Sequence, residues 1–187
     1  MIARLKGKDE NAWLQFESFY GPIILRFTKA RGLTHDEAEE IRSACYEAVV
    51  KQIEELEYDQ SRGRFRNWLL TIAARRISDL KRKRVDLQAD TSVLNSIEAP
   101  DSEQDALWEQ QWRQQILLEA YRRVELRMNE TSQAIFTRLV REAQAVATIA
   151  EELSVTENQI YKTKQRSLEM LREEIRFLES DPLTAYS

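Results

Sequence analysis

Apolar residues at Trp13, Phe16, Tyr20, Ile23, Ile24 and Phe27 recur at the spacing of one helical face. Gly32 stands where a left-handed cap would end that helix. Pro22, which lacks an N–H, predicts a kink or break inside it. Thr34 with Glu37 three residues on forms a capping box. It opens a second helix whose buried stripe is Ile41, Cys45, Ala48, Val49, Ile53 and Leu56. A turn-rich stretch, Tyr58–Arg64, follows. Helical spacing then returns at Phe65, Trp68, Leu69, Ile72, Ala73, Ile77 and Leu80, and Trp68 reads as core because it falls on that stripe.

Between Val85 and Asp105 the periodicity fades, and Asp, Ser, Thr, Asn and Pro100 accumulate, the composition of a flexible connector. The pattern resumes at Trp108, Trp112, Ile116, Ala120 and Val124, breaks at Asn129–Thr131, and continues through Ile135, Phe136, Leu139 and Val140. Two closely spaced helices come next. One runs roughly from Val146 to Leu153. The other opens at Thr156, capped with Gln159, and runs through Ile160, Leu168, Leu171 and Ile175. The chain therefore reads as all-α, with modules at 1–84 and 107–187 and an acidic linker at 85–106.

Composition agrees: 187 residues hold four Gly and three Pro, as suits helices. One His and one Cys cannot supply a metal site, and the lone Cys45 cannot close an intramolecular disulfide. No cofactor is expected. His35 has no Glu three residues before it, so the di-iron bundle pattern is absent, as are a phosphate loop and a nucleophile constellation. An enzyme is not expected. No signal-peptide pattern and no run of about eighteen apolar residues occurs, so the reading is cytoplasmic with no membrane contact.

The net charge of −4 hides a blockwise distribution. Thr34–Glu57 holds eight acids against Arg42 and Lys51. Arg62–Arg84 holds nine bases against Asp79 alone, and Val85–Gln110 holds seven acids and no base. Packing so many like charges together costs self-repulsion unless a polyanion neutralises them. With Phe65 and Trp68 interleaved, the basic segment has the make-up of a surface for phosphates and unpaired bases. Near the C-terminus, Thr148–Arg166 reads as a helix-turn-helix, with a small Ala150 where two helices approach and amide and cationic groups on the second helix. Ser154 stands where Gly is usual at such a turn, and a positive φ there would strain it.

The stretch Tyr58-Asp-Gln-Ser-Arg-Gly-Arg-Phe-Arg-Asn-Trp-Leu-Leu-Thr-Ile-Ala73, followed by Arg76 and Asp79, resembles the end of sigma region two in extracytoplasmic-function (ECF) sigma factors. Thr34–Glu57 resembles their polymerase-docking helix and Thr148–Ile175 their region four. The resemblance implies a helical region 2 bundle and a region 4 helix-turn-helix. It also implies binding to the clamp helices of core RNA polymerase, capture of a flipped base in the minus-ten promoter element, and readout of the minus-thirty-five element. Carried over residue by residue, clamp contact falls to Asp36, Glu39, Glu40 and Glu47. Strand capture falls to Arg62, Arg64, Arg66, Asn67, Arg75, Arg76 and Asp79, and upstream readout to Asn158, Lys162, Lys164 and Arg166.

Two positions depart from the family pattern: Ser43-Ala44 where Gln-Glu is usual, and Arg75 where Asn is common. The linker implies either a nucleic-acid mimic in the polymerase exit channel or a solubilising tether. An anti-sigma factor is a further partner the family allows. The alternative is a stand-alone helix-turn-helix regulator of duplex operator DNA, which accounts for the C-terminal half but not for an acidic helix followed by a basic one.

Overall fold

The computed structural model describes residues 2–55, 65–88 and 101–180. Leu56, the 58–64 stretch with Arg62 and Arg64, and residues 89–100 of the expected 85–106 linker lie outside the described residues, while the two ends of that linker, 85–88 and 101–106, are helical. The described residues form helices and turns with no strand, as the all-α expectation required. They fall into two compact units, residues 1–115 and 116–185.

The first unit contains α1 (Ile2–Lys6), α2 (Glu10–Ala30), α3 (His35–Gln52), α4 (Phe65–Gln88) and the N-terminal part of α5 (Asp101–Leu126). Asp9 caps α2, accepting from the Ala12 N–H at 3.2 Å, and takes the Arg4 Nε at 2.8 Å. Thr34 and Glu37 form the expected box at the start of α3, the Thr34 hydroxyl accepting from Glu37 N while Thr34 N donates to the Glu37 carboxylate. Gly32 adopts φ 82°, and Leu33 N donates back to Thr28 O, closing α2 as its position predicted.

The break expected at Pro22 does not occur, and α2 runs through it. A proline in a helix interior costs about 3 kcal/mol. Phe19, Ile23 and Ile24 around it are fully buried, and each such burial contributes about 1.5–3 kcal/mol. Packing outweighs the lost hydrogen bond.

Aromatic rings on α2 hold the unit together. Phe16 meets Tyr46 of α3 at 5.5 Å, and Tyr20 meets Phe65 of α4 at 5.6 Å. Phe19 lies 5.5 Å from Trp112 and Phe27 lies 5.2 Å from Trp108, both tryptophans on α5. Arg26 adds donors to Gln111 Oε1 and Gln115 Oε1, each at 3.0 Å. The two tryptophans that periodicity grouped with the second module thus find their partners in the first unit. The α2–α3 approach is close: a Cβ added to Gly21 would fall 2.6 Å from the Tyr46 hydroxyl oxygen.

The second unit holds the rest of α5, then α6 (Glu130–Phe136), a π-helical turn (Thr137–Arg141), α7 (Val146–Leu153) and α8 (Glu157–Ser180). Ile135, Ile149 and Ile160 form its buried centre, with Leu139, Ala150 and Leu153 against them. Glu119 and Glu174 clasp Arg123 at 2.7 and 3.0 Å, tying α5 to α8 through side chains no more than 12% exposed.

Candidate nucleic-acid interface

The Thr34–Glu37 box fixes where α3 begins, and so which acids face outward. At about 100° per residue, Asp36, Glu40 and Glu47 fall within roughly 40° of one another on the side away from Ile41, Cys45 and Ala48. All three are exposed. Glu47 meets Lys51 at 3.5 Å, an exposed pair of little energetic weight. Glu39 stands apart from this row, half-buried and held 2.7 Å from Arg42. Beside the row lies a shallow apolar cleft lined by Trp13, Leu14, Tyr46 and Val50 and rimmed by Glu10 and Glu17. Leu14 and Val50 are more than half exposed, an apolar patch that was not singled out in the sequence.

On α4 the basic residues separate into two groups. Arg75 and Arg76 are exposed, as is Asn67. Asp79 is exposed and pairs with Arg82 at 2.6 Å. Arg66 behaves differently: its side chain is 16% exposed, pairs with Glu109 of α5 at 2.9 Å, and lies 5.2 Å from the Trp112 ring centroid. A spacing signal marked it beforehand. Arg66 precedes Leu69, Ala73 and Ile77 by three, seven and eleven residues, which puts it on the buried stripe. Trp68, expected in the core, is half-buried and packs 5.2 Å from Phe65.

Lys81 on the same helix stands in a partly desolvated setting near the end of α2. Burial first, and the nearby Arg31 charge second, pull its ammonium pKa below the ordinary lysine value. Arg84 reaches Glu37 at the start of α3, so one base of the block is neutralised internally.

In the second unit, α7 ends in a left-handed residue, Ser154 at φ 53° and ψ 42°. Val155 N donates to Ala150 O at 3.1 Å across the turn. Thr156 and Gln159 then close a reciprocal box, Thr156 N donating to Gln159 Oε1 at 2.8 Å and Gln159 N to Thr156 Oγ1 at 3.2 Å. This fixes the start of α8 and its exposed face. Asn158, Lys162 and Arg166 lie on one side of α8, opposite Ile160 and Ser167. Lys164 is exposed but projects from a different flank, roughly 160° from Arg166. Glu169 accepts from Gln165 at 3.2 Å one turn further on, and its carboxylate ends the stretch that would welcome an anionic strand.

No group of three metal-binding side chains occurs among the described residues, and no helix among them is long and apolar enough to cross a membrane.

Residues 20–86, which include the acid-bearing α3 and nearly all of the base-bearing α4, match the family model of sigma-70 region 2. The matched segment covers about a third of the chain's length and is similar to the region 2 domain of the sigma-70 family of RNA polymerase sigma factors. Members are transcription initiation factors that bind core polymerase and promoter DNA. No curated protein and no solved structure gives a significant match.

Proposed function

We propose that the chain is an ECF-type sigma factor that directs core polymerase to particular promoters and assists strand separation there. One observation carries this reading: the region 2 domain turns the carboxylates of Asp36, Glu40 and Glu47 outward from α3 and the cations of Arg75 and Arg76 outward from α4. Complementary potential steers a basic protein surface to the first set and separated DNA strands to the second. In this reading Asp36, Glu39, Glu40 and Glu47 contact the clamp, with the apolar Leu14–Val50 patch beside them as an anchor. Asn67, Arg75, Arg76 and Asp79 serve strand capture along with Arg62 and Arg64, while Arg66 is assigned to the fold.

Residues 107–187 act as region 4, with Asn158, Lys162, Lys164 and Arg166 at the minus-thirty-five element. Residues 1–84 act as region 2, and 85–106 as the connector. The protein works in the cytoplasm without enzymatic activity, and an anti-sigma factor would compete for the α3 face.

The test is run-off transcription with purified core polymerase on a genomic promoter library, comparing wild type with Arg75→Ala and Lys162→Ala. Both variants lose promoter-specific initiation, and Lys162→Ala recovers on templates whose bubble is already open. Unchanged activity in both overturns the site assignments. Tight operator binding by the free chain, with no stimulation of core enzyme, identifies a stand-alone regulator instead.

A further inference from the structure

We propose that a cleft between the α5–α6 junction and α8 holds one backbone phosphate of duplex DNA, and that Lys162 and Arg166 serve this phosphate instead of reading base edges. The inference rests on the reading of the second unit as a duplex-binding module. The cleft encloses about 370 Å³, and its walls include Arg127, Asn129, Ser132, Lys162, Thr163 and Arg166. Three cations thus converge, Lys162 and Arg166 from α8 and Arg127 from the turn after α5, and no carboxylate lines the space.

Convergent donors around a half-enclosed volume suit a tetrahedral oxyanion. Guanidinium forks pair with phosphate oxygens bidentately, and an ammonium adds a point charge. The Ser132 and Thr163 hydroxyls supply neutral donors on either side. Arg127 meets Glu174 through one nitrogen at 3.4 Å with its side chain 56% exposed. Five N–H donors per guanidinium leave most of that fork for a ligand.

Helix geometry then divides the labour along α8. At about 100° per residue, Asn158 and Gln165 lie on one edge of the exposed face and Arg166 on the other, with Lys162 between. The Arg166 edge is the one that borders the cleft. Lys164, on another flank, is not among its lining residues. Phosphate contacts fix register without carrying sequence information, so Asn158 is left with the base-reading task.

Fluorescence anisotropy of the full chain with a mixed-sequence duplex, over a series of salt concentrations, tests the proposal. Each phosphate contact contributes about 0.9 to the slope of log affinity against log salt. Arg127→Gln and Arg166→Gln each lower that slope. The double variant lowers it by no more than about 0.9 in total, since both serve one phosphate together with Lys162. Arg166→Lys restores most of it, and Asn158→Ala leaves it unchanged, which separates loss of a contact from loss of the fold.

An unaltered slope in the double variant overturns the inference, as does absence of duplex binding at low salt. Inorganic phosphate supplies the second arm: if it saturates the cleft at constant ionic strength without displacing duplex, the site takes a free anion and the proposal fails. Loss of polymerase stimulation, with duplex binding and its arginine dependence intact, counts against the sigma reading alone and leaves the phosphate site standing.

Discussion

Arg66 on α4 and Glu109 on α5 are joined by a 2.9 Å ion pair, and the same guanidinium lies over the Trp112 ring. A base from the most cationic segment and an acid from the most anionic one neutralise each other inside the first unit. A double-mutant cycle with Arg66→Met and Glu109→Gln should give a coupling energy of about 1 kcal/mol, discounted because Glu109 is a third exposed. Arg66→Met lowers the melting temperature, whereas Arg75→Ala leaves it within error and affects strand binding. Urea unfolding of the four proteins decides; zero coupling would return Arg66 to the DNA-contacting set.

Ser154 holds a left-handed conformation that costs a residue with a Cβ about 1 kcal/mol. Ser154→Gly relieves it. Thermal unfolding of the variant should show stabilisation of about 0.5–1 kcal/mol, net of glycine's greater entropy loss on folding. Destabilisation would mean that the hydroxyl has a role the turn geometry does not require.

Cys45 is fully buried on α3, and burial pushes its thiol pKa up to about 12 against a smaller opposing pull from Arg76. The neutral thiol is a poor nucleophile. Native protein should react with a disulfide reagent at neutral pH far more slowly than protein in urea. Equal rates would place the thiol at the surface.

Asp9 binds Arg4 and caps α2, and both interactions, the Arg4 hydrogen bond foremost, hold its carboxyl below the ordinary value. A group depressed in the folded state contributes stability above its unfolded pKa and loses that contribution as pH falls through the folded pKa. The melting-temperature gap between wild type and Asp9→Asn should therefore be widest at neutral pH and close on acidification below about pH 4. A gap that stays constant with pH would show that the charge contributes nothing.

Local chemistry was legible in the sequence; partners across space were less so. The two Thr boxes at 34 and 156, the Gly32 cap and the turn at Ser154 depend on residues a few positions apart, and each forms. The buried stripe of α3 follows its period from Ile41 to Ile53. The break that Pro22 allowed for is absent because propensity speaks only of the helix itself, while the burial around it comes from other helices. Arg66 was grouped with its basic neighbours by charge, though its position on the apolar stripe of α4 already pointed inward. Trp108 and Trp112 carried a helical period that names a face but not the partner it packs on, and α2 proved to be that partner. For the outward acids and bases, sequence and structure agree on location. What each one grips depends on molecules the chain meets.

The slot that Gly21 leaves for the Tyr46 phenol ties two distant positions to a common history. A methyl group at 21 would have to displace an oxygen 2.6 Å away, so drift at one site should be tolerated only alongside a smaller ring or none at the other. Homologues that lose the glycine should have lost the tyrosine too, and swapping Tyr46→Leu into a Gly21→Ala background should recover stability that Gly21→Ala alone forfeits.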